Sequence, residues 1–403
     1  MRMLKTAAAI AALVAGAPAL AETHTVAPGE GAQERLQEAL ILAAPGDEIV
    51  LGAGRFVLTD GLSLDVDGVT IKGAGPGETV LDFTTQADAG EGLLVTSDNV
   101  TLRDFALENP HGDGIKSKGA DNIVYQRIRV TWTEGPKPTN GAYGIYPVES
   151  NGVLISECEV SGASDAGIYV GQSRAITVRE SLAHYNVAGI EIENSRNAIV
   201  EENLATHNTG GILVFDLPGL PVMGGGDVVV RENIVAANDT DNFAPPGNIV
   251  GGVKRGTGIL VMANENVLVE ENILAENDTA HVMVVAYTQT YNDTRYNPYP
   301  RNVVIGENLY EGGGTKPDLD GADQLLAAFG GALPPVVWDG LTDGEKVALS
   351  VVEGTMGWSL NLAEQGQGLD QANPGPLAVP APGENNKPTV TGAPEELLQR
   401  IDA

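Results

Sequence analysis

The chain has 403 residues, in which 54 Asp and Glu against 23 Lys and Arg leave a formal net charge of -31. Such a charge excludes a protein that holds nucleic acid or anionic lipid by non-specific attraction, and it opposes a polyanionic substrate unless a local basic patch or a bound cation answers it. Cys158 is the single cysteine, so no intrachain disulfide is possible and stability must come from packing and hydrogen bonds.

The first segment, MRMLKTAAAIAALVAGAPALA, joins a basic start at Arg2 and Lys5 to an apolar run and a small-residue end at Ala19-Leu20-Ala21. This is the pattern of a secretory signal peptide cleaved near Ala21, which predicts a periplasmic or secreted protein. No later stretch approaches the roughly 20 apolar residues of a membrane span, so membrane insertion is not expected.

Further along, a glycine followed by an apolar residue recurs at Gly92, Gly114, Gly144, Gly167, Gly189, Gly211 and Gly258, with His281-Val282 in the same place. By subtraction the steps are 22, 30, 23, 22, 22, 47 and 23 residues, a unit of 22 to 23 with two insertions. Each unit holds short β-branched runs with period-two alternation, such as Gly189-Ile190-Glu191-Ile192-Glu193, separated by Asn, Ser and Gly. Short strands joined by polar turns at a fixed period predict a β-solenoid. No stretch between them has the length and 3.6-residue period of a crossover helix, so a βαβ fold fits poorly.

A second column fixes the register: Asn203, Asn233, Asn272 and Asn308 each follow an apolar residue by three positions, and Cys158 and Ser181 hold that slot in earlier units. Stacked at roughly 4.8 Å, identical amides can each donate to one neighbour and accept from the other, so this column predicts a structural ladder. Cys158 is then expected to be buried and inert. The adjoining column of Glu157, Glu180, Glu202, Glu232, Glu271 and Glu307 reads as a solvated edge, with calcium the one cation candidate and no ligand spacing that singles out a metal.

With these units in place, the chain resembles the right-handed parallel β-helix proteins of the pectate-lyase-like superfamily over roughly residues 31 to 312. Gln33 to Leu40 resembles the superfamily's capping helix, and residues 44 to 51 and 54 to 58 its opening strands. "GIYPVES", "DAGIYVGQS", "GIEIENS" and "GGILVFDLPGLPV" are similar to a group of exported bacterial β-helix proteins. The expected architecture is a single-stranded solenoid of about ten coils with an N-terminal capping helix and an irregular C-terminal tail. Residues 22 to 312 form the β-helix, 313 to 372 a cap, and 373 to 403 a Pro-rich strap with a short terminal helix.

Alternation predicts that the residue after each Gly-apolar pair points outward. One outward row is Lys116, Tyr146, Tyr169, Glu191, Leu213, Leu260 and Met283; two residues on runs a second row of Lys118, Val148, Gly171, Glu193, Phe215, Met262 and Val285. The resemblance implies that such a face binds an extended polysaccharide. Asn109-Pro110-His111-Gly112-Asp113 distantly resembles the Asp-Pro-His-Asp segment of alginate C5-epimerases, with Asn109 in place of the first acid and Gly112 inserted.

Two chemistries follow. A polyuronate lyase or C5-epimerase would use His111 as base, Lys116 to neutralise the substrate carboxylate and Tyr146 as proton donor, with Asp113, Lys118, Tyr169, Glu191, Glu193 and Phe215 as substrate contacts. A glycosidase would instead use two carboxylates, from Glu191 with Glu193 or Glu149 with Asp165. Against both stands a non-catalytic scaffold that assists an envelope protein partner through an open apolar surface around Leu213, Phe215, Leu260 and Met262. The insertions at 133 to 142, 217 to 226 and 240 to 257 are long loops on a rigid frame, where binding function concentrates.

Overall fold

A computed structural model of the chain describes residues 21–88, 90–367, 371–383 and 386–401. Of the leader read at residues 1 to 21, only Ala21 falls among them.

The chain winds as a right-handed parallel β-helix. Ala32–Leu42 forms the entry helix, and Ala32, Leu36 and Leu40, spaced four apart on one face, are its buried residues. They close the first coil, which would otherwise present an unpaired edge. The coils then stack into a 12-stranded sheet and a 20-stranded sheet. In the 12-stranded sheet, called here the face sheet, every pairing is parallel except the last, Gly357–Ser359 with Gly375–Pro376. The larger sheet bends at a corner residue with positive φ, such as Glu180 at 50°, Glu202 at 57° and Glu232 at 56°. Those glutamates are exposed because the corner aims them away from the coil.

Register follows the two columns read in the sequence. Ile145, Ile168, Ile190, Ile212, Ile259 and Val282 pair in succession and point inward into one continuous apolar stack. The recurring glycine before each is steric: a Cβ on Gly189 would lie 2.5 Å from the carbonyl oxygen of Gly211 in the next coil. The amide column is a ladder, in which Nδ2 of Asn203, Asn233 and Asn272 donates to Oδ1 of the next asparagine at 3.0, 2.9 and 2.9 Å. A second ladder runs parallel to it through Asn186, Asn208, Asn238 and Asn277, with steps of 3.1, 3.1 and 3.0 Å. Cys158 occupies the head of the first column, fully enclosed, and burial pushes its thiol up to about 12.

Coiling does not stop at residue 312, where the repeat fades in the sequence. Val336–Trp338 and Gly357–Ser359 extend the face sheet, and Leu349–Val351 extends the other. These strands are three residues long and have lost the glycine column, so only their hydrogen-bonded neighbours reveal them. The tail then runs back along the outside of the solenoid. Asn386 accepts from Asn302, Thr391 is held by Asn197, and the helix Glu395–Ile401 seats Leu397 and Ile401 on Val124 and Leu154.

Candidate functional site

The face sheet carries both outward rows in the predicted register. Lys116 pairs with Tyr146, Tyr169 with Glu191, Glu191 with Leu213, and Glu193 with Phe215. Parallel strands without a slip place equivalent side chains about 4.8 Å apart, so a sequence column becomes a physical row.

The face is not open along its length. Chain from the insertions, including Leu217, Leu220, Phe243, Ile249, Val250 and Val253, together with Tyr287, Tyr291 and Tyr296, packs over its middle. Leu213 and Phe215 are consequently buried, at 0% and 1% exposure. Phe215 is therefore a packing residue and not a substrate contact, and the open apolar surface that a scaffold would need at Leu213 to Met262 is covered by the chain itself. The burial of apolar rows under long loops is the ordinary hydrophobic driving force at work; nothing in the local alternation announces it.

Where the covered region ends, three cavities adjoin. One of 590 Å³ is walled by Thr84, Asn109, His111, Trp132, Thr133 and Asn140, among others. It shares His111 and Asn140 with a second, of 350 Å³, whose walls include Glu91, Asp113, Ser164 and Asn248. The second shares Ala142 and Asn248 with a third, of 360 Å³, walled by Tyr143, Asp165, Glu191, Glu193 and Val250. Shared walls set them side by side in a row, called here the trough, from the turn at His111 to the carboxyl groups on the sheet.

His111 is exposed at the outer part of this trough, and its backbone N–H donates to Gln86 Oε1 at 2.9 Å. It sits in the turn ahead of the strand Ile115–Lys118, and Lys116 and Tyr146 do not line the recesses that His111 lines. Lys116 is already engaged: its Nζ lies 3.1 Å from Glu91 Oε1, 3.8 Å from Asp113 Oδ2 and 4.9 Å above the Tyr146 ring. Lys118 is exposed at the end of its strand, away from these walls.

Tyr143, Tyr146 and Tyr169 form a packed trio, with ring centroids 4.5, 4.5 and 5.0 Å apart. Burial drives all three phenols upward, Tyr146 to about 12. Tyr169 reaches over Gly171, where a Cβ would come within 2.3 Å of its hydroxyl oxygen, and donates to Glu193 Oε1 at 2.8 Å. Glycine in the second outward row is thus the space that lets this contact form.

The acids are the centre of the site. Glu191 is 1% exposed and one of its carboxyl oxygens has no partner. Burial, then the charges of Asp165 and Glu193, raise it well above the ordinary carboxylate range. Burial likewise raises Glu193. It raises Asp165 to about 7, helped by the charge of Glu193 and opposed by Asn248, whose Nδ2 donates to it at 3.2 Å. Asp113 is pushed up to about 6 by burial against the pull of Lys116. Glu191 and Glu193 are therefore buried walls of a recess beside the loop at 247–250 and do not stand on an open face. Burial sets the state of Asp165, and its contact with Asn248, a residue 83 positions away, had no signal in the spacing. Among the described residues no three His, Cys, Asp or Glu side chains converge as metal ligands do.

A family model described as right handed beta helix region matches residues 60–217 and 137–297, together more than half of the chain. A search of curated proteins finds no match. Among solved structures, the A-module of mannuronan C-5 epimerase AlgE4 from Azotobacter vinelandii is similar at a TM-score of 0.56 and 15% identity, covering 82% of this chain and 94% of that one. The AlgE6 A-module of the same organism gives 0.51 and 15%, over 81% and 92%. The DFA-IIIase of Arthrobacter chlorophenolicus A6 in complex with GF2 gives 0.54 and 14%, over 82% and 93%. At these identities the likeness is one of fold.

Proposed function

Because the chain belongs to the right-handed β-helix family, with a trough of acids and tyrosines on its face sheet, we propose that it is a glycan-active enzyme breaking a glycosidic bond in an uncharged saccharide. The acid would be Asp165 and the partner carboxylate Asp113. The observation that carries this reading is the pair of adjoining recesses lined by Asp113 on one side and by Asp165, Glu191, Glu193 and Tyr143 on the other, while the neighbouring cation, Lys116, is taken up by Glu91 and Asp113.

A polyuronate would bring its own carboxylates beside the ionised Asp113 and into a site where burial already disfavours charge on Asp165, Glu191 and Glu193. That favours a neutral substrate over the lyase or C5-epimerase reading, whose base His111 does not share a recess with Lys116 and Tyr146. Structural neighbours, a mannuronan C-5 epimerase module and a DFA-IIIase in complex with GF2, support a saccharide as the ligand class.

The roles follow from environment. Asp165, kept protonated near neutrality by burial and by Glu193, gives its proton to the departing glycosidic oxygen; Asp113, titrating lower, is ionised and activates water or steadies the developing positive charge at the sugar carbon. Their backbones stand two coils apart, about 10 Å, which leaves room for a sugar ring between them. Tyr169 and Glu191 act by positioning Glu193. In this reading the enzyme works after export, as the leader sequence implies.

The test is proton NMR of neutral glycans, alginate and pectate incubated with the mature protein, with and without calcium. New reducing-end signals from a neutral glycan, absent with Asp165→Asn, support the proposal. Unsaturated or inverted uronates that vanish in His111→Ala overturn it in favour of the lyase or epimerase chemistry. Unchanged spectra throughout return the protein to a binding role with an envelope partner.

A further inference from the structure

Away from the trough, toward the C-terminal end of the face sheet, a cleft of 330 Å³ lies between the sheet and the short helix Ala322–Ala328. Its sheet wall is Met283, Val285, Val337 and Trp358; Leu325 lines it from the helix. That helix carries Leu325 and Leu326 yet buries none of its seven residues, and Phe329 just beyond it is also only half-buried.

This is unusual packing. A seven-residue helix has little stability of its own and depends on its apolar side being covered. The cleft is partly open to solvent, and its 330 Å³ is about ten times the roughly 30 Å³ share of a water. Its apolar walls give water few partners, and apolar cavities of this kind take up apolar molecules. The volume falls at the lower end of the roughly 300–1,000 Å³ of ligand pockets.

Charge narrows the class. The polar groups on the lining include Asp320, Gln324 and Asp339. Asp339 is committed, accepting from the backbone N–H of Ala286 at 2.6 Å and of Leu341 at 2.9 Å. No Lys, Arg or His is on the lining, so an anionic headgroup such as a fatty carboxylate would meet only like charge.

We propose that this cleft is a binding site for an uncharged alkyl or aryl ligand, seated between Val285, Val337 and Trp358 on the sheet and Leu325 on the helix, with any hydroxyl directed to Gln324. The site is separate from the trough and does not depend on the glycan reading.

The experiment is a fluorescence titration of the full mature chain with N-phenyl-1-naphthylamine, with n-octanol as a non-fluorescent competitor and decanoate as the anionic control. Saturable one-to-one binding is expected, displaced by octanol and not by decanoate. Val285→Trp fills the cleft from the sheet side and Leu325→Asp places a charge in the helix wall. Each is expected to weaken binding at least tenfold, and Leu325 lies outside the solenoid core, so its replacement should leave the thermal transition in place. Absence of saturable binding by the wild type, or unchanged binding in a folded Leu325→Asp protein, overturns the proposal. Equal displacement by decanoate overturns the assignment of an uncharged ligand.

Discussion

Replacing Asp165 by Asn should stabilise the folded protein, and the gain should grow with pH. The Asp165 carboxyl rises from its ordinary 3.8 to about 7 on folding. Between those values the folded state holds a proton that the unfolded chain has released, so wild-type stability falls as pH climbs through the window and the loss is complete above about 7. At 1.36 kcal/mol per pH unit the shift costs about 1–2 kcal/mol at pH 5 and about 4 kcal/mol at pH 8. An asparagine never ionises, yet its side-chain oxygen still accepts from Asn248, so the variant escapes the cost and keeps the contact. Urea unfolding of wild type and Asp165→Asn at pH 5, 6, 7 and 8, followed by circular dichroism, measures the difference directly. A gain that does not vary with pH, or a variant less stable than wild type at pH 8, would refute the claim that Asp165 is held in a charge-hostile enclosure. A stability gain with lost activity is also the expected mark of a catalytic group placed at structural cost.

Catalysis by Asp165 as acid and Asp113 as base predicts a narrow optimum, with activity rising as Asp113 ionises near about 6 and falling as Asp165 loses its proton near about 7; a pH–rate profile without a limb on the alkaline side would exclude Asp165 as the acid. Asn233→Ala breaks the ladder at its middle, leaving the Asn272 and Asn203 amides short of a partner, and should cost about 2–4 kcal/mol in denaturant unfolding. Asn308→Ala, at the half-buried end of the same ladder, should cost distinctly less. Leu397→Ala removes a fully buried side chain from the contact with Val124 and Leu154, and should weaken docking of the tail by about 2–3 kcal/mol; hydrogen exchange should then speed up in residues 395 to 401 while the coils stay protected.

Much of this protein was legible as a sequence because a solenoid turns sequence period into spatial contact. Residues one period apart become neighbours about 4.8 Å away, so Asn203, Asn233 and Asn272 announce a ladder, and Lys116, Tyr146, Tyr169 and Glu191 announce a row, with no knowledge of anything distant. The glycine column was visible for the same reason, and a Cβ at Gly189 meeting the Gly211 carbonyl explains it. Chemistry was less legible: the row named Glu191 and Glu193 but gave no sign that they are enclosed, and His111 in the sequence looked like a partner of Lys116.

What only the tertiary structure decided are the events off the period. The loop around Asn248 folds back over Asp165, insertions cover Leu213 and Phe215, short coils continue past residue 312, and the tail returns to the coil of Val124. The sequence by itself determined the scaffold, its register and the identity of the outward rows, since each coil can bury its apolar face only against the next. Which part of that face stays reachable depends on where irregular segments land. That is set by long-range burial rather than by alternation or spacing, and burial in turn decides which carboxyl groups are raised above their ordinary range.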